Sequence, residues 1–213
     1  MSFDAIAPHY RWMEFILAGE KLQRCRTRFL DEIPVPRNIL LAGEGHGRCL
    51  IECVRRFPEA RITCVDASAA MLVETRRRLQ GAGFAERSVE FVQADVLEWK
   101  LAANSYDLLI TNFFLDCFPV DQLERVIARL STAATADANW LLADFQTPAG
   151  GVKRIRARLI LWVMYVFFRV VTRLPAKRLT APGSLLAHVG FKLHCRMEAD
   201  WSLLSSEWWG RVS

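Results

Sequence analysis

With 213 residues, 52% of them hydrophobic and 24% charged, the chain is long enough for one domain with a proper core and too apolar to be disordered. Its N-terminus, MSFDAIAPHY, carries Asp4 and no long apolar run, so a cytoplasmic protein without a secretory signal is expected. The net charge of +5 is uneven: residues 145–197 hold ten Lys or Arg and no Asp or Glu, which leaves −5 for the rest, and such a split suggests an anionic partner or surface for one region. The six cysteines (Cys25, Cys49, Cys53, Cys64, Cys117, Cys195) form no Cys-x-x-Cys pair and no zinc set. They read as reduced, buried small hydrophobes, and no metal site is expected.

In chain order, the apolar NILLA runs into a glycine loop, and GRCLIECVRRF continues at helical spacing. ARITCVDAS is a strand ending in Asp66, followed by the helix AAMLVETRRRLQ, stopped by Gly81 and Gly83. SVEFVQADV ends in Asp95. YDLLITNFFLDCF precedes the helix VDQLERVIARLST, and ANWLLADFQ is a fifth strand. Apolar strands alternating with helices predict parallel crossover units and a doubly wound sheet. Past residue 150 the pattern changes to a long helical candidate ending near Pro175, a short helix GSLLAHVGF, and two closing strands, FKLHCRME and SEWWGRV. With no linker or repeat, one domain over 1–213 is expected, with 1–30 as an N-terminal helical cap and 150–190 as a helical lid or interface insertion.

The loop LLAGEGHGRCL places Gly43, Gly45 and Gly47 at alternate positions between a strand and a helix. This puts a free helix N-terminus at the sheet's C-terminal edge, where open α/β folds bind ligands. Asp66, 19 residues past Gly47 at the tip of the second strand, is placed to grip ribose hydroxyls. A dinucleotide fingerprint wants G-x-G-x-x-G, and its third position is Arg48, a poor fit. A tight turn without ligand is the plainer alternative.

The G-x-G-x-G spacing, followed in order by CVDAS, VQADV, YDLLITNFF and WLLADF, resembles the class I S-adenosylmethionine (SAM) methyltransferases. The opening FDAIAPHYRW resembles the FDxIAxxYD start of the ubiquinone/menaquinone-type and lipid methyltransferases, except that Arg11 stands where that pattern has Asp. The resemblance implies a Rossmann-like seven-stranded sheet, mostly parallel, with an antiparallel C-terminal strand pair. It also implies SAM as cofactor, with Tyr10, Gly43, Glu44, Gly45, Gly47, Asp66, Ala67, Met71, Asp95, Val96 and Asn112 around it. Asp95 and Val96 would meet the adenine, and Tyr10 the methionine end. The family's acid two positions before the first glycine, which helps hold the cofactor's ammonium group, is replaced by Leu41. Glu44 is a candidate substitute, and a solvated turn residue is its other reading.

Methyl transfer needs a base only if the acceptor must lose a proton. Asp116, just past the fourth strand, and His9, near the cap, are the catalytic candidates, each with a structural role as alternative. His46 reads as a turn residue, and His188 and His194 as surface or core residues. In residues 153–178, Arg154, Arg158, Tyr165, Arg169 and Arg173 fall on one side of a helix, and most of the rest is apolar. The apolar stretch LILWVMYVFF is too short to span a bilayer. The segment fits a helix lying on an anionic membrane, a cover over an oily acceptor, or a helix packed on the sheet or in a homodimer contact. Nucleic acid is disfavoured, because the aromatics are not interleaved with the basic residues. The leading expectation is therefore a SAM-dependent methyltransferase acting on a small apolar acceptor such as a quinone-like ring or lipid head group. A non-catalytic methyltransferase-like subunit binding a partner or membrane, and a nicotinamide-dependent oxidoreductase, are the alternatives.

Overall fold

A computed structural model of the protein describes residues 20–84, 89–172 and 180–212. The elements in order are α1 (Glu20–Thr27), β1 (Asn38–Ala42), α2 (Arg48–Arg56), β2 (Arg61–Asp66), α3 (Ala69–Gly81), β3 (Val89–Gln93) and β4 (Tyr106–Asn112). After a single 3-10 turn (Leu115–Cys117) come α4 (Val120–Ala133), β5 (Ala134–Phe145), α5 (Gly151–Thr172), α6 (Gly183–His188), β6 (Phe191–Ala199) and β7 (Leu204–Arg211). The strands form one sheet in the order β3-β2-β1-β4-β5-β7-β6. The first five are parallel, whereas β7 is antiparallel to both β5 and β6. The expected architecture, including the reversed terminal pair that no dehydrogenase pattern predicts, is the one observed.

Strands covered on both faces must be apolar at successive positions, and period-2 geometry then sends neighbours to opposite cores. In β1, Ile39 and Leu41 enter a core with Cys49, Leu50 and Cys53 of α2 and Leu72 and Leu79 of α3. Leu40 and Ala42 enter the other, with Leu123, Val126, Ile127 and Leu130 of α4 and Leu186 of α6. The α4 residues recur at i, i+3, i+4 and i+7, the stripe by which a helix buries one side. Strand β5 begins at Ala134, directly after α4 and four residues before the expected start at Ala138. Ala134 pairs with Tyr106 ahead of a register shift, so the sheet recruits a stretch whose sequence reads as a polar connection.

Helix α5 packs Ala157, Leu161 and Met164 on Leu203 and Phe145, which places it by the C-terminal end of β5. Among the described residues, no helix is long and apolar enough to cross a membrane.

Candidate functional site

All three loop glycines adopt left-handed backbone angles, at φ 67°, 66° and 75° for Gly43, Gly45 and Gly47. Two are also fixed by crowding. A Cβ on Gly43 would lie 2.1 Å from the Phe114 ring, and one on Gly47 would lie 2.9 Å from Thr75 Cγ2. Gly45 differs, because nothing lies within 4 Å of its would-be Cβ, so the loop is open there. The Thr75 hydroxyl donates to the Gly45 carbonyl at 2.8 Å, so α3 pins the loop that it touches.

Asp66 and Asp95 follow the same local logic. Each is half-buried at or just past a strand tip, and its Oδ1 accepts the backbone N–H two residues on, from Ser68 at 2.8 Å and Leu97 at 2.9 Å. Such turns fix a carboxylate's direction. Ala67 is half-buried beside Asp66, and the Met71 N–H is taken by the N-cap Ser68 Oγ. The Val96 side chain lies in the second core, and its carbonyl accepts from Arg129 Nε at 2.9 Å. Gly43, Gly45, Gly47, Asp66, Ala67 and Asp95 thus lie together at the C-terminal edge of β1, β2 and β3.

Two expected cofactor residues turn out to have internal duties. Asn112 is buried; its Oδ1 accepts the Ala143 N–H at 3.1 Å, and its Nδ2 donates to Cys49 Sγ at 3.4 Å. It therefore ties β4 to β5 and α2. Glu44 is also buried, at 7% exposure, which corrects the reading of a solvated turn residue. Its Oε1 accepts the N–H groups of Cys49 and Leu50, at 2.7 and 3.1 Å, and so caps α2. Its charge also helps to push the thiol of Cys64 up, after burial. Cys64 is the β2 partner of Leu41. A carboxylate launched from position 44 thus returns to the neighbourhood that position 41 leaves apolar.

The ends of β4 and β5 have another chemistry. Asp116, 7% exposed, has its carboxyl pushed up to about 6 by burial, against partial relief from the Cys117 thiol. That thiol donates towards Asp116 Oδ1 at 3.6 Å. Asp144, 3% exposed, is raised well above the usual carboxylate range by burial and then by the charge of Asp116. Its carboxylate accepts the N–H of Phe145 at 2.8 Å and that of Asp116. Asp144 carries a sequence signal like that of Asp66, an acid near the end of an apolar strand. Neighbouring Asp116 and Asp144 in the chain, Phe113 and Phe145 have ring centroids 5.1 Å apart, and Phe114 and Phe118, 5.0 Å apart. Phe113 itself is left-handed, at φ 52°, a costly conformation for a bulky residue, and the buried Arg26 guanidinium lies 5.1 Å from its ring centroid.

His9 and Tyr10 lie outside the described residues. His46 is buried in the loop, while His188 and His194 are exposed. Among the described residues, no group of His, Cys, Asp and Glu is arranged to hold a metal ion.

Residues 39–136 match the family model of a methyltransferase domain. Among curated proteins, the chain is similar to a trans-aconitate 2-methyltransferase of Rhodopseudomonas palustris, with 41% identity over 118 residues, 52% of this chain and 43% of that protein. It is also similar to ribosomal RNA large subunit methyltransferase G of Aliivibrio salmonicida, with 32% identity over 97 residues, 44% of this chain and 25% of that protein. The match spans under half the length of these relatives. Among solved structures, the mitomycin 7-O-methyltransferase MmcR superposes with a TM-score of 0.71 at 18% identity, covering 100% of this chain and 61% of that one. The 1,6-didemethyltoxoflavin-N1-methyltransferase of Burkholderia thailandensis, solved with S-adenosylhomocysteine, gives 0.69 at 16% identity, covering 99% and 86%. Residues 39–136 thus resemble a methyltransferase domain, and the chain has the fold of these solved methyltransferases.

Proposed function

We propose that the protein is a SAM-dependent methyltransferase that modifies a small, apolar acceptor of the quinone-like ring or lipid head-group kind. The observation that carries this reading is the left-handed glycine loop, open at Gly45, with Asp66 and Asp95 set by Asx turns at the neighbouring strand tips. These residues fit the cofactor. Gly45 leaves room for close approach, Asp66 can accept from ribose hydroxyls, and Asp95 can accept from an adenine amine. Glu44 supplies the negative charge that the ammonium end requires and Leu41 cannot give. SAM, when bound, supplies an electrophilic methyl group on its sulfonium.

Asp116 is the base in this reading. Near neutral pH a carboxyl titrating at about 6 is largely ionised, yet it holds a proton far better than an ordinary carboxylate. It accepts the proton that an acceptor O–H or N–H releases as that atom is methylated. Burial keeps Asp116 basic, and the hydrogen bond from its backbone N–H to the Asp144 carboxyl ties the two groups together. The phenylalanines at the β4 and β5 ends give the acceptor an apolar, aromatic surround and exclude water.

The test is incubation with methyl-labelled SAM and host extract, followed by partition between organic and aqueous phases. Label in the organic phase is expected; label solely in water-soluble product or nucleic acid would refute the apolar acceptor. Leu41 favours a second reading, a non-catalytic methyltransferase-like subunit. SAM binding by calorimetry with no methyl transfer to any extract component would decide for it.

A further inference from the structure

Helix α5 presents three different arcs. Ala157, Leu161 and Met164 face inward. On the far side Val152, Ile155, Leu159, Trp162, Val163 and Val166 form a continuous apolar stripe at i, i+3, i+4 and i+7 spacing, and all are exposed, Ile155 at 71% and Trp162 at 65%. Single exposed hydrophobes are ordinary, but a contiguous stripe is not. On one side of it stand the exposed Arg154 and Arg158, within a segment that contains no acid. On the opposite border Arg156 is paired with Asp200 at 3.0 Å and lies 5.7 Å from the ring centroid of Trp201. Trp201 is 62% exposed on a turn whose three residues, Asp200, Trp201 and Ser202, are all left-handed. Strain of this kind persists only where the surroundings hold it, and here it holds a tryptophan at the surface next to the stripe.

We propose that α5 and Trp201 form a surface that docks on an anionic phospholipid bilayer, with the stripe and the tryptophans entering the interface and Arg154 and Arg158 meeting lipid phosphates. Cations bordering an apolar face with exposed tryptophan are what an interfacial helix requires. A second copy of the chain fits less well, since a self-complementary pairing of this face brings its arginines towards their own kind. The stripe faces away from Leu203 and Phe145, on which the inner arc packs. The proposal does not depend on the methyltransferase reading, and SAM binding is measured in parallel.

Flotation with vesicles of pure phosphatidylcholine, and of a two-to-one mixture with phosphatidylglycerol, tests it. Binding to the mixed vesicles is expected, at least about tenfold tighter than to the neutral ones and weakened by salt. Arg154→Ala with Arg158→Ala should weaken it about thirtyfold, at roughly a factor of five per charge near the surface. Trp162→Ala, an exposed change, should weaken it roughly tenfold, with melting temperature and SAM affinity unchanged. Absence of binding, equal binding to both vesicle types, or a solution dimer that Trp162→Ala dissociates would each overturn the proposal.

Discussion

The two halves of the sheet's C-terminal edge are built on opposite principles. At the tips of β1, β2 and β3, polar groups are locally answered: Glu44 caps α2, Asp66 and Asp95 close Asx turns, and Thr75 holds the Gly45 carbonyl. At the ends of β4 and β5, two carboxyls are buried, the charge of Asp116 raising Asp144 further, close in sequence to a left-handed Phe113. The first half is rigid and satisfied, as the proposed cofactor site requires. The second stores electrostatic and backbone strain, as suits proton transfer.

The sharpest way to break this contrast is Asp116→Asn. Loss of the base should lower kcat by about a hundredfold or more while SAM affinity holds, by single-turnover kinetics and calorimetry. In the wild type, kcat should rise with pH through about 6 and then level, and the variant should lose that rise. Stability should move the other way. Because burial raises the folded carboxyl from an ordinary 3.8 to about 6, its contribution is full below that window and lost as pH rises through it. Removing the charge should then stabilise the variant at pH 8 by about 3 kcal/mol in urea unfolding.

On the satisfied half the signs agree: substitutions cost stability and binding together. Gly43→Ala should cost about 3 kcal/mol, combining a left-handed backbone with a Cβ driven into Phe114. Gly45→Ala, with empty space around it, should cost about 1 kcal/mol, and a larger cost would show the loop less open than its geometry implies. Asp66→Ala should lower SAM affinity by about tenfold or more in calorimetry, the worth of a charge-assisted hydrogen bond. Thr75→Val should cost about 1 kcal/mol in chemical denaturation, through the lost bond to Gly45.

The same contrast explains what the sequence made readable. The strands and α4 were legible because doubly covered strands and one-sided helices leave period-2 and 3.6-residue signatures in single residues. Asp66 and Asp95 were legible because their place at a strand tip is a local fact. Asp144 was not, since its pairing with Asp116 joins two strands that meet only through the sheet. The direction of Glu44 depends on the path of three left-handed glycines, and sequence marks that they bend but not where the next side chain goes. In α5 the composition showed broad apolarity, whereas the choice between inward Leu161 and outward Trp162 is made by Leu203 and Phe145, some forty residues and fifteen residues away.

Leu41, finally, limits which charges the neighbouring loop can carry. At 1% exposure it belongs to the core with Cys49 and Cys64, and Glu44 has brought its charge into the same quarter. Restoring an acid at position 41 alone would bury a second carboxylate beside the first, at a cost of several kcal/mol. Leu41→Glu should therefore melt well below the wild type, and adding Glu44→Gln, which keeps the helix cap but removes its charge, should recover part of the loss. The two positions are coupled: the stability cost of an acid at position 41 depends on whether position 44 already carries a charge.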